Sequence, residues 1–282
     1  MGSRTSPNEF AVCELAAITL GEETGCVLTL DSKPDQLERK AAAVDFQFAS
    51  TEGVFVFEHT RIEAFDHQLH KENKLETVVL PRLAEIFKEF DSDLRVTVEM
   101  PIEFAAGLKM GSDDLAWFEG AVRDAVPSLS PPERLQIGAT NVIDIPKSNC
   151  SLRIFRVWPR PQSKPGFRVA CYQPEHWEDQ MLCNVKRRLS QKLPKLEAAS
   201  CSLSSVLVLE LTEVALTTEH TVFDCYRTAM DERRLAGDAW EPDWVVIAQL
   251  HCVTYGSVDI VKSPSGYRPI GAETTRWFET KP

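Results

Sequence analysis

Apolar and polar positions alternate most clearly between Ala42 and Gln68, in AAVDFQFASTEGVFVFEHTRIEAFDHQ. Val44, Phe46 and Phe48 alternate with Asp45 and Gln47, the period of two of a strand with one buried face. Val54-Phe55-Val56-Phe57 is a continuous apolar run, the mark of a strand buried on both faces. Glu52-Gly53 between the two runs predicts a two-residue hairpin loop. With that loop, Gln47 faces Glu58 and Asp45 faces Thr60. Because side chains two apart share a face, Asp45, Gln47, Glu58 and Thr60 are expected on one side of the hairpin.

Around this hairpin the pattern switches between the two periods. Glu9–Leu20 is helical, with Gly21 as its stop, and Cys26–Leu30 is a short strand. His67–Phe90 has helical spacing interrupted by Pro81, which predicts a kink. Leu94–Met100 is a strand, and Ser112 caps a helix reaching about Val126. Leu152–Trp158 and Phe167–Tyr172 are strands around a Pro/Gly/Lys-rich turn. Pro174–Leu193 and Glu219–Leu235 are helices, Leu203–Leu211 and Asp243–Leu250 buried strands, and Val253–Ile270 a terminal hairpin. The alternation of buried strands and helices predicts an α/β fold, a central mixed sheet flanked by helices. The chain is expected to form one domain over 1–282, with an insertion around 101–150.

Composition narrows the function classes. The 43% hydrophobic and 26% charged content is ordinary for a globular chain. No run approaches the 18 or so apolar residues of a membrane span, and the polar start MGSRTSPNEF predicts a cytoplasmic protein. The eight cysteines have no paired spacing, which argues for thiols and against a zinc site. A net charge of −11 counts against an extended basic surface for nucleic acid. Glycine-rich nucleotide loops and the Gly-x-Ser-x-Gly elbow are missing from the sequence.

The co-facing acids are the candidate chemistry. Asp45 and Glu58 on neighbouring strands, the latter two residues before Thr60, can converge on one Mg²⁺ or Mn²⁺. An acid on one strand and Glu58-His59-Thr60 on the next resembles the PD-(D/E)xK nuclease superfamily. The family's proline before the first acid is here Val44, and its lysine position is Thr60. A literal Pro-Asp, Pro34-Asp35, lies in a polar loop and ranks behind Asp45. The resemblance implies a restriction-endonuclease-like core with an additional middle segment, a metal held by Asp45 and Glu58, and cleavage of a phosphodiester. It also implies a lysine from a neighbouring helix. Arg188, Lys192 and Lys195 share one side of their helix and suit phosphate contact. Lys192 is the first choice, ahead of Lys195, Lys71 and Lys74. Glu14 is a candidate third acid, and His67 and Gln68 follow the hairpin, while His59 is expected to point to the opposite face. The alternative is a nuclease-like fold without catalysis that binds a partner protein, favoured by the acidic charge and by Thr60.

Overall fold

A computed structural model of the chain describes residues 7–37, 43–65, 67–90, 95–129, 140–156, 166–172, 176–211, 218–252, 255–271 and 275–279. Its contacts divide the chain into two compact units, Met1–Asp66 with Glu178–Pro282, and His67–Trp177. The fold is α/β, with a mixed multi-stranded sheet flanked by helices. The segment set apart in the middle is wider than the expected 101–150, because it carries a sheet and a core of its own.

The first unit opens with helix α1 (Pro7–Thr24). It passes the expected stop at Gly21 and ends one turn later, where Gly25 takes a left-handed φ of +74°. The Cys26 N–H then donates to the Gly21 carbonyl at 3.0 Å, closing a Schellman turn. Gly21 serves that turn differently: a Cβ there would stand 2.6 Å from the Cys26 carbonyl oxygen. Gly21→Ala is therefore expected to destabilise the protein by about 1–3 kcal/mol through overpacking, read as a lower urea midpoint at unchanged slope.

Strand β1 (Thr29–Ser32) and one helical turn, α2 (Pro34–Leu37), lead to the hairpin β2 (Phe46–Ser50) and β3 (Gly53–Ile62). The hairpin and its antiparallel pairing are as expected, but the loop is Thr51–Glu52. Ser50 closes it, its hydroxyl accepting the Glu52 N–H and donating to the Gly53 carbonyl, both at 3.1 Å. Gly53 begins β3 at φ +149°, a conformation that favours glycine. The register moves by two residues, to Phe46↔Phe57 and Phe48↔Phe55. A shift of two preserves the faces. Its effect is to bring Asp45 level with Glu58 in place of Thr60, with the Asp45 N–H donating to the Phe57 carbonyl at 3.1 Å.

The second unit begins with the expected long helix, built as α3 (Gln68–Lys74), a π turn (Leu75–Val79) and α4 (Leu80–Phe87). Pro81 has no N–H to give and its ring crowds the preceding turn. The wide turn accommodates it, with the Leu80 N–H donating to the Leu75 carbonyl. Then come β4 (Arg95–Pro101), α5 (Ile102–Gly107) and α6 (Asp113–Ala125), the last capped as expected by Ser112, whose hydroxyl accepts the Leu115 N–H at 3.2 Å. β5 (Thr140–Asp144), β6 (Ser151–Arg156) and β7 (Gly166–Tyr172) complete a four-stranded sheet in the order β5-β6-β4-β7. β6 and β7 are thus not partners. The fully buried Val96, Val98 and Met100 give β4 the place between them, antiparallel to β6 and parallel to β7.

The first unit resumes with α7 (Trp177–Ala199), which runs through Pro194 instead of stopping at Leu193. Pro194 lies on the exposed side, where water can take the carbonyl it leaves without a donor. β8 (Ser204–Leu211), α8 (Glu219–Leu235), β9 (Trp244–Cys252), β10 (Tyr255–Ser263), β11 (Gly266–Tyr267) and β12 (Arg276–Glu279) follow. The main sheet runs β1-β2-β3-β8-β9-β10-β11, with β12 also on β10. β3, β8 and β9 are parallel and the remaining pairs antiparallel. One face packs Phe46, Phe57, Val208 and Val246 against Val12, Ala16 and Leu20 of α1. α7 lies over the other face, where Lys192 reaches Glu58, and a Lys186–Glu232 ion pair ties it to α8.

Candidate active site

Glu58 sits at the middle of β3, between β2 and β8, and its side chain is 0% exposed. Asp45 enters from the start of β2 and Lys192 from α7. The Lys192 ammonium stands 2.9 Å from Asp45 Oδ2 and 2.6 Å from Glu58 Oε2. Asp45 Oδ2 also accepts the His59 backbone N–H at 2.8 Å, so its position is fixed from two sides. Glu58 Oε1 is buried without a hydrogen-bond partner. Burial, and then the Asp45 charge, push the Glu58 carboxyl up to about 8, although Lys192 and Lys195 pull against them. Burial opposes the charge on Lys192, but Glu58 and then Asp45 outweigh it, and the ammonium is held more tightly than usual.

Three of the four expected catalytic residues thus meet. Thr60, two residues along β3 from Glu58, is buried and provides no cation, so the positive charge comes from the neighbouring helix. Lys195 lies near enough for its charge to act on Glu58. Lys71, Lys74, His67 and Gln68 belong to the second unit, where Lys71 pairs with Glu103 at 3.6 Å, Gln68 is buried and His67 is exposed. Glu14 is exposed on α1, which covers the opposite face of the sheet, so it is not the third acid. Asp35 holds a better position than its polar loop suggested. Its N–H donates to the carbonyl of Val44 at 3.2 Å, next to Asp45, and its Oδ1 is buried without a partner. Burial and then the Asp45 charge raise its carboxyl as well. The visible signal was the Pro34-Asp35 dipeptide itself.

A second charged cluster occupies the α1 side of the same strands. His59 points there, as expected, and its Nε2 is 2.8 Å from Glu210 Oε2, while Arg61 Nη2 donates to Glu210 Oε1 at 3.0 Å. Burial alone would raise the Glu210 carboxyl, but the bond to His59 and the charges of His59 and Arg61 hold it below the usual carboxylate value. The signal in the sequence was a glutamate inside the buried run Val206–Leu211.

Among the described residues no group of three or more His, Cys, Asp or Glu side chains is arranged to hold a metal ion. Asp45 and Glu58 form a pair of hard oxygen donors, one oxygen of Glu58 having no other partner. Such a pair suits Mg²⁺ or Mn²⁺, which keep several water ligands and need only one or two carboxylates. Among the described residues no helix is long and apolar enough to cross a membrane. No protein-family model matches the chain, and neither a curated protein nor a solved structure matches it.

Proposed function

We propose that the first unit is a divalent-cation-dependent nuclease of a divergent PD-(D/E)xK-like type, with a restriction-endonuclease-like core, and that it hydrolyses phosphodiesters of nucleic acid. The observation that carries this reading is the meeting of Asp45, Glu58 and Lys192 from three separate elements, with the lysine supplied by α7 where β3 has Thr60. Asp45 and Glu58 would hold Mg²⁺ or Mn²⁺, which when bound acidifies water and neutralises phosphate charge. Glu58 must give up its proton for this role, so cation affinity should rise with pH toward about 8. Lys192, released from one carboxylate, stabilises the negative charge that builds on the phosphoryl oxygens. Arg188 and Lys195, on the same side of α7, contact flanking phosphates.

The test is cleavage of single- and double-stranded DNA and RNA by the full chain with Mg²⁺ or Mn²⁺. Asp45→Asn and Lys192→Met are each expected to reduce the rate by at least about 100-fold, the scale of losing one preorganised charge. Wild type that cleaves none of the four substrates would remove the nuclease reading. A second reading, a fold that binds a partner protein without catalysis, is favoured by one observation: the Lys192 ammonium stands between Asp45 and Glu58, ion-paired to both. It predicts that Mn²⁺ leaves the melting temperature of the wild type unchanged.

A further inference from the structure

We infer that Asp35 is the third anionic group of this site, an outer carboxylate that accepts hydrogen bonds from the water ligands of the divalent cation held by Asp45 and Glu58. The inference rests on the cation site of the preceding reading but not on nuclease activity. The connection from β1 to β2 turns through the single helical turn α2 and returns the chain to the hairpin. There the Asp35 N–H donates to the Val44 carbonyl at 3.2 Å, so the residue is pinned beside Asp45. Its carboxyl lies close enough to feel the charges of both Asp45 and Lys192. Two oxygens of this set, Asp35 Oδ1 and Glu58 Oε1, are buried with no hydrogen-bond partner. A buried oxygen left in that condition costs free energy unless a ligand or water meets it.

Charge leads to the same occupant. Ionised around a bound cation, Asp35, Asp45 and Glu58 against the single Lys192 ammonium carry two net negative charges, and one divalent cation cancels them. Asp35 is not arranged with Asp45 and Glu58 as a direct three-carboxylate cage. An outer role fits that geometry, because Mg²⁺ retains several waters and those waters need acceptors. Such acceptors orient the inner shell, and losing one typically costs 10–100-fold in metal affinity.

The experiment is Mn²⁺ binding to the full chain, by calorimetry and by loss of the free-ion spin-resonance signal, for wild type, Asp35→Asn, Asp35→Glu and Asp31→Asn. Asp31 is an exposed neighbour on β1 and serves as the control for general surface charge. Asp35→Asn is expected to weaken Mn²⁺ binding by roughly 10–100-fold, Asp35→Glu to recover most of the loss, and Asp31→Asn to stay within about twofold of wild type as an exposed, screened charge. If Asp35→Asn binds as wild type does, or if Asp31→Asn weakens binding equally, Asp35 has no special place and the inference falls while the cation site stands. If wild type itself does not bind Mn²⁺, both fall. Binding weakened at Asp35 in a protein that cleaves no nucleic acid would uphold this inference and end the nuclease reading.

Discussion

Glu58→Gln, without divalent cation, is expected to melt at a higher temperature than wild type, by a margin that widens from pH 5 to pH 8. The folded protein holds the Glu58 proton until about pH 8, whereas an ordinary glutamate releases it near 4.5. Between these values the folded state binds more protons than the unfolded one, so stability falls as pH rises. The stabilising influence of the neutral carboxyl is complete below about 4.5 and lost as pH passes through about 8. At roughly 1.4 kcal/mol per pH unit the gap caps the effect near 5 kcal/mol, and side-chain relaxation should leave about 1–3 kcal/mol. Glutamine keeps the shape and never has to be ionised. The expected gain is several degrees at pH 8 and close to none at pH 5, since about 1 kcal/mol moves a chain of this size by roughly 2–4 °C. The variant should also lose any Mn²⁺-induced rise in melting temperature. A gain that does not change with pH, or a loss at pH 8, would contradict this account of the site. Asp45→Asn should behave oppositely. Its carboxylate accepts bonds from both Lys192 and the His59 N–H, and replacing it weakens two charge-assisted bonds at once.

The largest loss of stability is expected from Glu210→Ala, roughly 3–5 kcal/mol, the scale of removing one member of a buried ion pair. Glu210 is the shared partner of His59 and Arg61 and is almost wholly buried. Without it, Arg61 loses its acceptor in this cluster and His59 its ring contact. Because the Glu210 carboxyl is held below its ordinary value, it stabilises the fold above that value and the contribution disappears as pH falls through the folded one. Wild type should therefore lose more stability between pH 5 and pH 3 than Glu210→Gln does, as measured by urea unfolding. Equal acid sensitivity in the two proteins would show that the cluster adds nothing.

The site was partly legible because a strand's period is short and forgiving. The hairpin loop was misplaced by one residue and the register by two, yet Asp45 and Glu58 still fell on one face. Lys192 was legible for a similar reason, as one step of a row at helical spacing that survived Pro194. Properties set by distant pairing were not accessible in this way. Nothing local to β6 and β7 reveals that β4 lies between them. Asp35 looked like a turn residue because its hydrogen bond is to Val44, across α2 and the segment that follows it. Glu210 looked like an irregularity in an apolar run until β3 and β8 placed Arg61 and His59 beside it.

The Arg61–Glu210 contact joins residues 149 apart in sequence, and this has a consequence during synthesis. Ribosomes add about 5–20 residues per second, so β3 leaves the tunnel roughly 7–30 s before its parallel neighbour exists. In that interval the second unit, with its own sheet and core, is made in full. The Val54–Phe57 run meanwhile presents one unpaired edge, the kind of template on which strands of other chains assemble. Slower elongation would lengthen that exposure, and stalling between codons 67 and 203 should yield insoluble product from a sequence whose finished fold has the same edge covered by β8.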